Sequence, residues 1–443
     1  MQPPVPLQIE PATRPETPTE APPPRWSFFT RIGFRFAFAY FIPFCFPFLL
    51  GLVTPFFDYP STKYQAMWNK IIPWVGKHVL RISYAFNTDT TGSGDKTANY
   101  IQIFCLLLLA VIVTLIWSVL DRKRENYATL NRWLRLCVRL ALAITLLEYG
   151  AYKVIPSQFP SPYLRRLVQP YGESSPMGIL WTFMGASKAY TIFAGAVETV
   201  GGLLLLFPRL TTLGAMMAVL SMGNVVMLNM SYDVPVKLYS IHYLVMAGLL
   251  LLPDLRRLMD VFVFHRPTQL PLEPPFFRRK WLSRGFVALL AVLGLVTFGQ
   301  ALYGSYQQNK FFSTRPELVY GIWTVDEFSL DGEVRPPLLT DSLRWQRVAF
   351  DINSAMSWQD MNGKWLTYTL KMDPKKKMLS LAKRTDPKWK SELAFAKPAE
   401  DAMVLDGQLD GKPLHVKLHR VDEKTMLLNG RGFHWVNEVP FNR

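Results

Sequence analysis

Two patterns divide the chain. Up to about residue 303 apolar residues run together in long stretches; beyond it they alternate with polar ones in short runs. Crossing the hydrocarbon core of a bilayer takes ~20 apolar residues in helical form. Seven stretches qualify: residues 28–53, 98–120, 133–154, 189–207, 211–230, 236–252 and 286–303. Pro43 and Pro47 inside the first remove helix hydrogen bonds and predict a kink. Between the first two, residues 64–82 mix Trp and Ile with spaced Lys and Arg, which predicts a helix lying in the outer interface and broken near Pro73. Past residue 303, "GIWTVDEFSL", "LRWQRVAFDI", "KWLTYTLKM" and "PLHVKLHRV" are β-type runs separated by DG, NG, DP or charged turns. The fold class is therefore a polytopic α-helical membrane protein of about seven spans, followed by a C-terminal all-β soluble domain, a small antiparallel barrel or sandwich.

Composition sharpens this picture. Half of the 443 residues are apolar and 19% are charged, which excludes an ordinary soluble multi-domain protein. The net charge of +16 does not point to nucleic acid, because Lys and Arg gather at the ends of apolar segments and not on one basic face. If the spans alternate, "DRKRE", "FPR", "PDLRR" and "FFRRKW" fall on one side together with Arg25, Arg31 and Arg35. By the positive-inside rule that side is cytoplasmic, so the β-domain is periplasmic in the inner membrane of a bacterium. Residues 1–25, rich in Pro, Glu and Thr, predict a disordered cytoplasmic tail and not a signal peptide. Cys45, Cys105 and Cys137 all lie in apolar runs without CxxC or CxxH spacing, against a dithiol relay, a zinc site or attached haem.

Ionisable and amide groups inside the spans are the candidate chemistry, since a charge at mid-bilayer costs at least ~2.5–3.5 kcal/mol and seeks protein partners. Glu148 and Tyr149 lie near the outer end of the third span, and Glu198 lies halfway through the fourth. Asn224 and Asn229 are in the outer half of the fifth, and His242 is about two turns into the sixth. All point to one half of the membrane. Glu148 and Lys153, five residues apart, are turned about 140° from each other on a helix, so they do not pair. Glu148 is sent toward another span, with Asn224, Asn229 and His242 as partners to test; Lys153 either snorkels outward or meets Glu198 or Asp233. Gly195, Thr199 and Gly202 recur at three- and four-residue steps and let a second helix approach Glu198 closely.

These residues also carry a family resemblance. Arg139 near one end of a helix, Gly150 and Lys153 at its other end, then Glu198, Gly201, Gly202 and residues 203–206 before a short basic turn, resemble the DoxX family of four-helix membrane proteins. The resemblance covers about residues 130–260. That family includes the DoxD-type subunit of a thiosulfate:quinone oxidoreductase and members linked to membrane thiol redox balance. It implies a quinone-linked redox role, with an electron donor supplied by a partner or substrate. The domain organisation becomes a tail at 1–25, two spans with an interfacial helix at 26–125, a DoxX-like bundle at 126–262, a cytoplasmic linker and last span at 263–304, and the β-domain at 305–443. Spans one, two and seven and the β-domain exceed a minimal DoxX unit.

Glu148, Glu198 and His242 are then the expected proton-exchanging, catalytic groups, and Tyr149, Lys153, Asn224, Asn229 and Asp233 the ligand-binding ones, in a polar pocket opening outward. No metal or nucleotide motif is present. His415 and His419 share a strand face but are ~13 Å apart, too far for one ion. Gly321-x-Trp323 resembles the lipocalin signature, which implies a ligand-holding barrel. The aromatic run 429–443 predicts a segment docked on the barrel or on the outer mouth of the bundle. Three functions stay open: quinone-linked redox, binding or transport of a lipid or small apolar ligand, and a scaffold subunit of a membrane complex.

Overall fold

The computed structural model describes residues 25–52, 59–89, 91–269, 276–352, 354–383, 385–386 and 388–442. The expected tail at 1–25 lies outside these residues except for Arg25. The helices in chain order are α1 (Phe28–Leu50), α2 (Tyr59–His78), α3 (Thr97–Leu120), α4 (Ala128–Val154), α5 (Leu164–Leu167), α6 (Pro176–Ala186) and α7 (Lys188–Leu206). They continue as α8 (Thr211–Ser231), α9 (Lys237–Leu251), α10 (Leu255–Phe262) and α11 (Lys280–Ser313). Ser27 caps α1 by accepting from the Thr30 amide at 3.1 Å, and Ser187 ends α6 while capping α7 through the Tyr190 amide at 3.3 Å. Proline does not interrupt the first two helices: α1 runs on through Pro43 and Pro47, and α2 runs through Pro73, where a break was expected.

Six helical stretches among the described residues are long and apolar enough to cross a membrane. They make this a membrane protein and a bilayer its environment. α4 is not among the six, because Arg132, Arg135, Arg139, Glu148 and Lys153 dilute its apolar content. Yet α4 is the helix the others surround. α4, α7, α8 and α9 form a closed ring in which each touches the next, and α1 and α11 pack on α4 from outside. The basic end of this bundle is tied by Arg35, which is buried. Its Nη1 donates to Ser118 Oγ at 2.9 Å, its Nη2 to the Asp121 carbonyl at 2.8 Å, and its Nε to Tyr127 Oη at 2.9 Å. The far end carries the interdomain segment 155–187, which packs Phe159, Leu180 and Met184 against Val234.

After α11 come β1 (Gly321–Leu330), β2 (Glu333–Val334), β3 (Trp345–Asp351), β4 (Ala355–Asp360), β5 (Trp365–Asp373), β6 (Met378–Ala382), β7 (Lys390–Ala399), β8 (Ala402–Leu409) and β9 (Lys412–Val421). Each strand pairs antiparallel with the next along the chain, save that β2 hangs on β1 alone. β9 returns to β1 over the register Ile322↔Val421 to Leu330↔Leu414, so the sheet closes as an up-and-down barrel and leaves no long free edge. Alternation decides which side chains go in. Trp323, Phe328, Trp345, Phe350 and Trp358 fill the inside, while Ile322 and Ala349 point outward and are covered by Leu164 of α5. Trp323 Nε1 donates to the Val319 carbonyl at 2.9 Å.

The barrel is therefore held to the membrane bundle by two elements, α11 in sequence and α5 in space. Asp351 at the end of β3 accepts the Leu164 amide at 2.7 Å through Oδ2 and the Ile352 amide at 2.8 Å through Oδ1. Burial at this junction pushes the Asp351 carboxyl up to about 6, against the pull of the Ile352 and Leu164 amides and of Arg165. The aromatic run near the end of the chain does not dock as expected. Trp435 is 90% exposed and Phe433 77%. The barrel interior is already filled, and the outer face of β1 and β3 is occupied by α5, so neither surface receives them.

Candidate functional site

The densest helix contact in the bundle is made by glycine. α4 and α7 run antiparallel, with Gly150 against Gly195 and Gly202 against Ala143 and Leu147. A β-carbon on Gly195 would lie 2.5 Å from Lys153 Cβ and 2.7 Å from the Val154 nitrogen, so only glycine allows the two backbones to meet here. That approach brings Lys153 to Glu198. The Nζ to Oε2 distance is 2.6 Å, and both side chains are buried, at 8% and 3% exposure. The ammonium also stands 5.5 Å from the centre of the Tyr149 ring, one turn back on α4. Lys153 does not snorkel; it is neutralised inside the protein.

The Tyr149 ring separates this pair from an open space. A cavity of about 500 Å³ lies between α1, α2, α3, α4 and α9, at the end of the bundle opposite Arg35. Tyr64, Tyr149, Tyr239 and Tyr243 line it together with Phe44 and Gln102. Asn99 Nδ2 donates to Tyr239 Oη at 3.1 Å, which leaves that hydroxyl proton available to another acceptor. Behind Phe44 lies His242, with ring centres 4.7 Å apart. His242 Nδ1 is 2.6 Å from the Leu238 carbonyl, which only accepts, so the proton resides on Nδ1. Nε2 lies 2.6 Å from the Tyr40 hydroxyl, so both ring nitrogens are engaged.

The expected single pocket of Glu148, Glu198, Asn224 and His242 is not assembled. Glu148 is exposed on the outer face of α4 and accepts Tyr152 Oη of its own helix at 2.9 Å, one turn on, and not a group on another span. Asn224 faces out of the bundle. Asn229 is buried and donates to Ser240 Oγ at 3.0 Å, joining α8 to α9. Asp233 meets Lys237 at 2.7 Å, not Lys153. The physical reason is angular: each of these residues has the right depth, but depth along a helix does not fix which neighbour it faces. What was missed is the tyrosine set. Tyr239 and Tyr243 are four residues apart on one face of α9 at the depth of Tyr149, a signal that also suits an aromatic belt at a membrane surface. On the barrel, His415 and His419 each lie 2.6 Å from an aspartate on a neighbouring strand, Asp406 and Asp326. No group of three or more metal-binding side chains occurs among the described residues.

Chemically, then, the bundle offers a closed ion pair, a satisfied histidine and an aromatic cavity with hydroxyl and amide groups in its wall. No family model matches the chain, and no solved structure matches it. The chain is similar to the uncharacterized protein YwoB of Bacillus subtilis (strain 168), at 35% identity over 127 residues, which are 28% of this chain and 79% of YwoB. On that likeness the chain belongs to the family of YwoB, with most of its own length lying outside the shared segment.

Proposed function

We propose that this protein holds a small membrane-soluble molecule of the quinone class in its tyrosine-lined cavity and works with a partner oxidoreductase. One observation carries the reading: a space of about 500 Å³ bounded by Tyr64, Tyr149, Tyr239 and Tyr243. Such a volume is in the range of small-molecule sites, ~300–1,000 Å³. A flat ring with two carbonyl oxygens suits stacking against these rings and hydrogen bonds from tyrosine hydroxyls and Gln102. Leu50, Ile103 and Leu106 continue the wall in apolar form, as an isoprenoid chain needs. A quinone supplies two-electron, two-proton chemistry; the residues here bind it, orient it and exclude water.

The same proposal reads residues 126–262 as a DoxX-like bundle and the barrel as lipocalin-like in architecture, with a filled interior. It places the basic end in the cytoplasm and the barrel in the periplasm of a bacterial inner membrane. A second reading is supported by the closed Lys153–Glu198 pair and the satisfied His242: the cavity holds a lipid or other apolar ligand with no electron transfer. The test is titration of the full chain in nanodiscs with a short-chain quinone, followed by tryptophan quenching. Saturable binding is expected, weakened about tenfold in Tyr239→Leu, a change of ~1.4 kcal/mol. Equal quenching in wild type and variant would overturn the quinone site. Binding that is unchanged by a natural phospholipid competitor would set aside the lipid reading.

A further inference from the structure

Residues 427–441 show water a run of aromatic and aliphatic side chains. Trp435 is 90% exposed, Phe433 77%, Val436 74% and Val439 72%. The barrel wall carries polar ladders, such as Lys417 with Glu327 at 2.7 Å and His415 with Asp406 at 2.6 Å, and its other strongly exposed apolar side chains, Val334, Leu338, Leu339 and Leu343, are aliphatic and lie in β2 and the stretch after it. The segment also has internal order. Phe433 and Trp435 meet edge to face at 5.1 Å, Arg431 lies over the Phe441 ring at 4.1 Å, and Arg431 Nη2 donates to Asn437 Oδ1.

Its point of departure identifies what it faces. Met426, the residue just before it, packs against the cluster in which Leu164 of α5 covers Ile322 and Ala349 of the barrel. The segment thus leaves the barrel at the end that stands on the membrane bundle. The last apolar run ends at residue 303, and ten further residues complete α11 at Ser313, a rise of ~15 Å. Fifteen residues extend to at most ~50 Å, which is ample to cover that height. Trp and Phe interleaved with Arg431, and with Lys424 close by, match the headgroup zone of a bilayer: rings lie at the carbonyl level and cations meet phosphates.

We propose that residues 427–441 form an interfacial anchor that lays Phe433, Trp435 and Val436 into the headgroup region of the membrane from which α11 emerges, giving the barrel a second foot. The test uses the full chain reconstituted in vesicles of phosphatidylethanolamine and phosphatidylglycerol, with photoreactive benzoylphenylalanine in place of Trp435 and, separately, of the exposed Glu400. Irradiation is expected to yield a lipid adduct at 435 and none at 400. Adducts at 435 to the barrel, to the bundle or to a second copy would overturn the proposal, as would lipid adducts of equal yield at both positions. An independent measurement guards against disturbance by the probe: brominated lipid should quench wild-type fluorescence more than that of Trp435→Phe. Equal quenching of the two would also overturn it.

Discussion

Along α4 and α7 the buried contact is made of glycines and one lysine–glutamate pair, whereas across β3, β4 and β5 it is made of rings, with Trp345 stacked on Trp358 at 4.3 Å and Trp358 on Tyr368 at 4.1 Å. The difference follows from the solvent each region meets. Around the barrel is water, so burying large apolar side chains is itself the driving force. Around the bundle is hydrocarbon, which welcomes a leucine as well as a protein interior does. Helices there gain little by hiding apolar groups; they gain from close backbone approach and from partners for polar groups. One chain thus uses size to specify this part of its barrel and smallness to specify the seam of α4 and α7.

The comparison breaks first at Gly195. Gly195→Leu would set a side chain where even a β-carbon meets Val154 at 2.7 Å, so α4 and α7 must part. The expected result is loss of the monodisperse detergent-solubilised protein on size exclusion, and a normal elution profile would show that the seam does not govern assembly. Next come losses of similar size with different remedies. Glu198→Gln leaves a buried ammonium without its counter-charge and should cost ~3–5 kcal/mol. Trp358→Ala opens a void in the barrel and should cost about as much. In the bundle, Lys153→Met combined with Glu198→Leu should recover most of the loss, because two apolar groups replace a pair whose desolvation was already expensive. Thermal unfolding in detergent measures all three, and a double variant as unstable as the single one would contradict the account of the pair.

The smallest effect concerns the junction of the two regions. Asp351 sits between barrel and α5 with its carboxyl raised to about 6 from an ordinary 3.8. The folded state then binds the proton more tightly than the unfolded one, so stability is fully present below the ordinary value and declines as pH rises through about 6. Between pH 7 and pH 5 the docked barrel should gain roughly 1–2 kcal/mol. Asp351→Asn, neutral at every pH, should flatten that dependence. Protection of the Leu164 region from limited proteolysis follows it directly, and a variant that keeps the wild-type pH profile would remove Asp351 from the explanation.

How much of this was legible in the sequence depends on the period being read. In "GIWTVDEFSL" alternation alone sends Trp323 inward and Ile322 outward, and the barrel follows. For α4, residues 133–154 read as a span although five charges along the helix dilute its apolar content below that of the six other stretches, and the rotation between positions 148 and 153 separated Glu148 from Lys153. Rotation does not say which helix lies across. Lys153 had three destinations open, and only the glycine seam, by fixing α7 as the neighbour, selects Glu198. The cavity was hidden for a related reason: Tyr64, Tyr149 and Tyr239 come from three separate helices, and no local pattern joins them.

The burial of α4 has a consequence for how the protein is made. With three arginines, a glutamate and a lysine, this helix is a poor substrate for insertion on its own, each cation near mid-membrane opposing entry by ~2.5–3.5 kcal/mol. The ion pair that neutralises Lys153 is completed by a residue synthesised forty-five positions later. On its own, therefore, α4 lacks the partner that lets Lys153 stay buried, and its settled place in the bundle depends on α7.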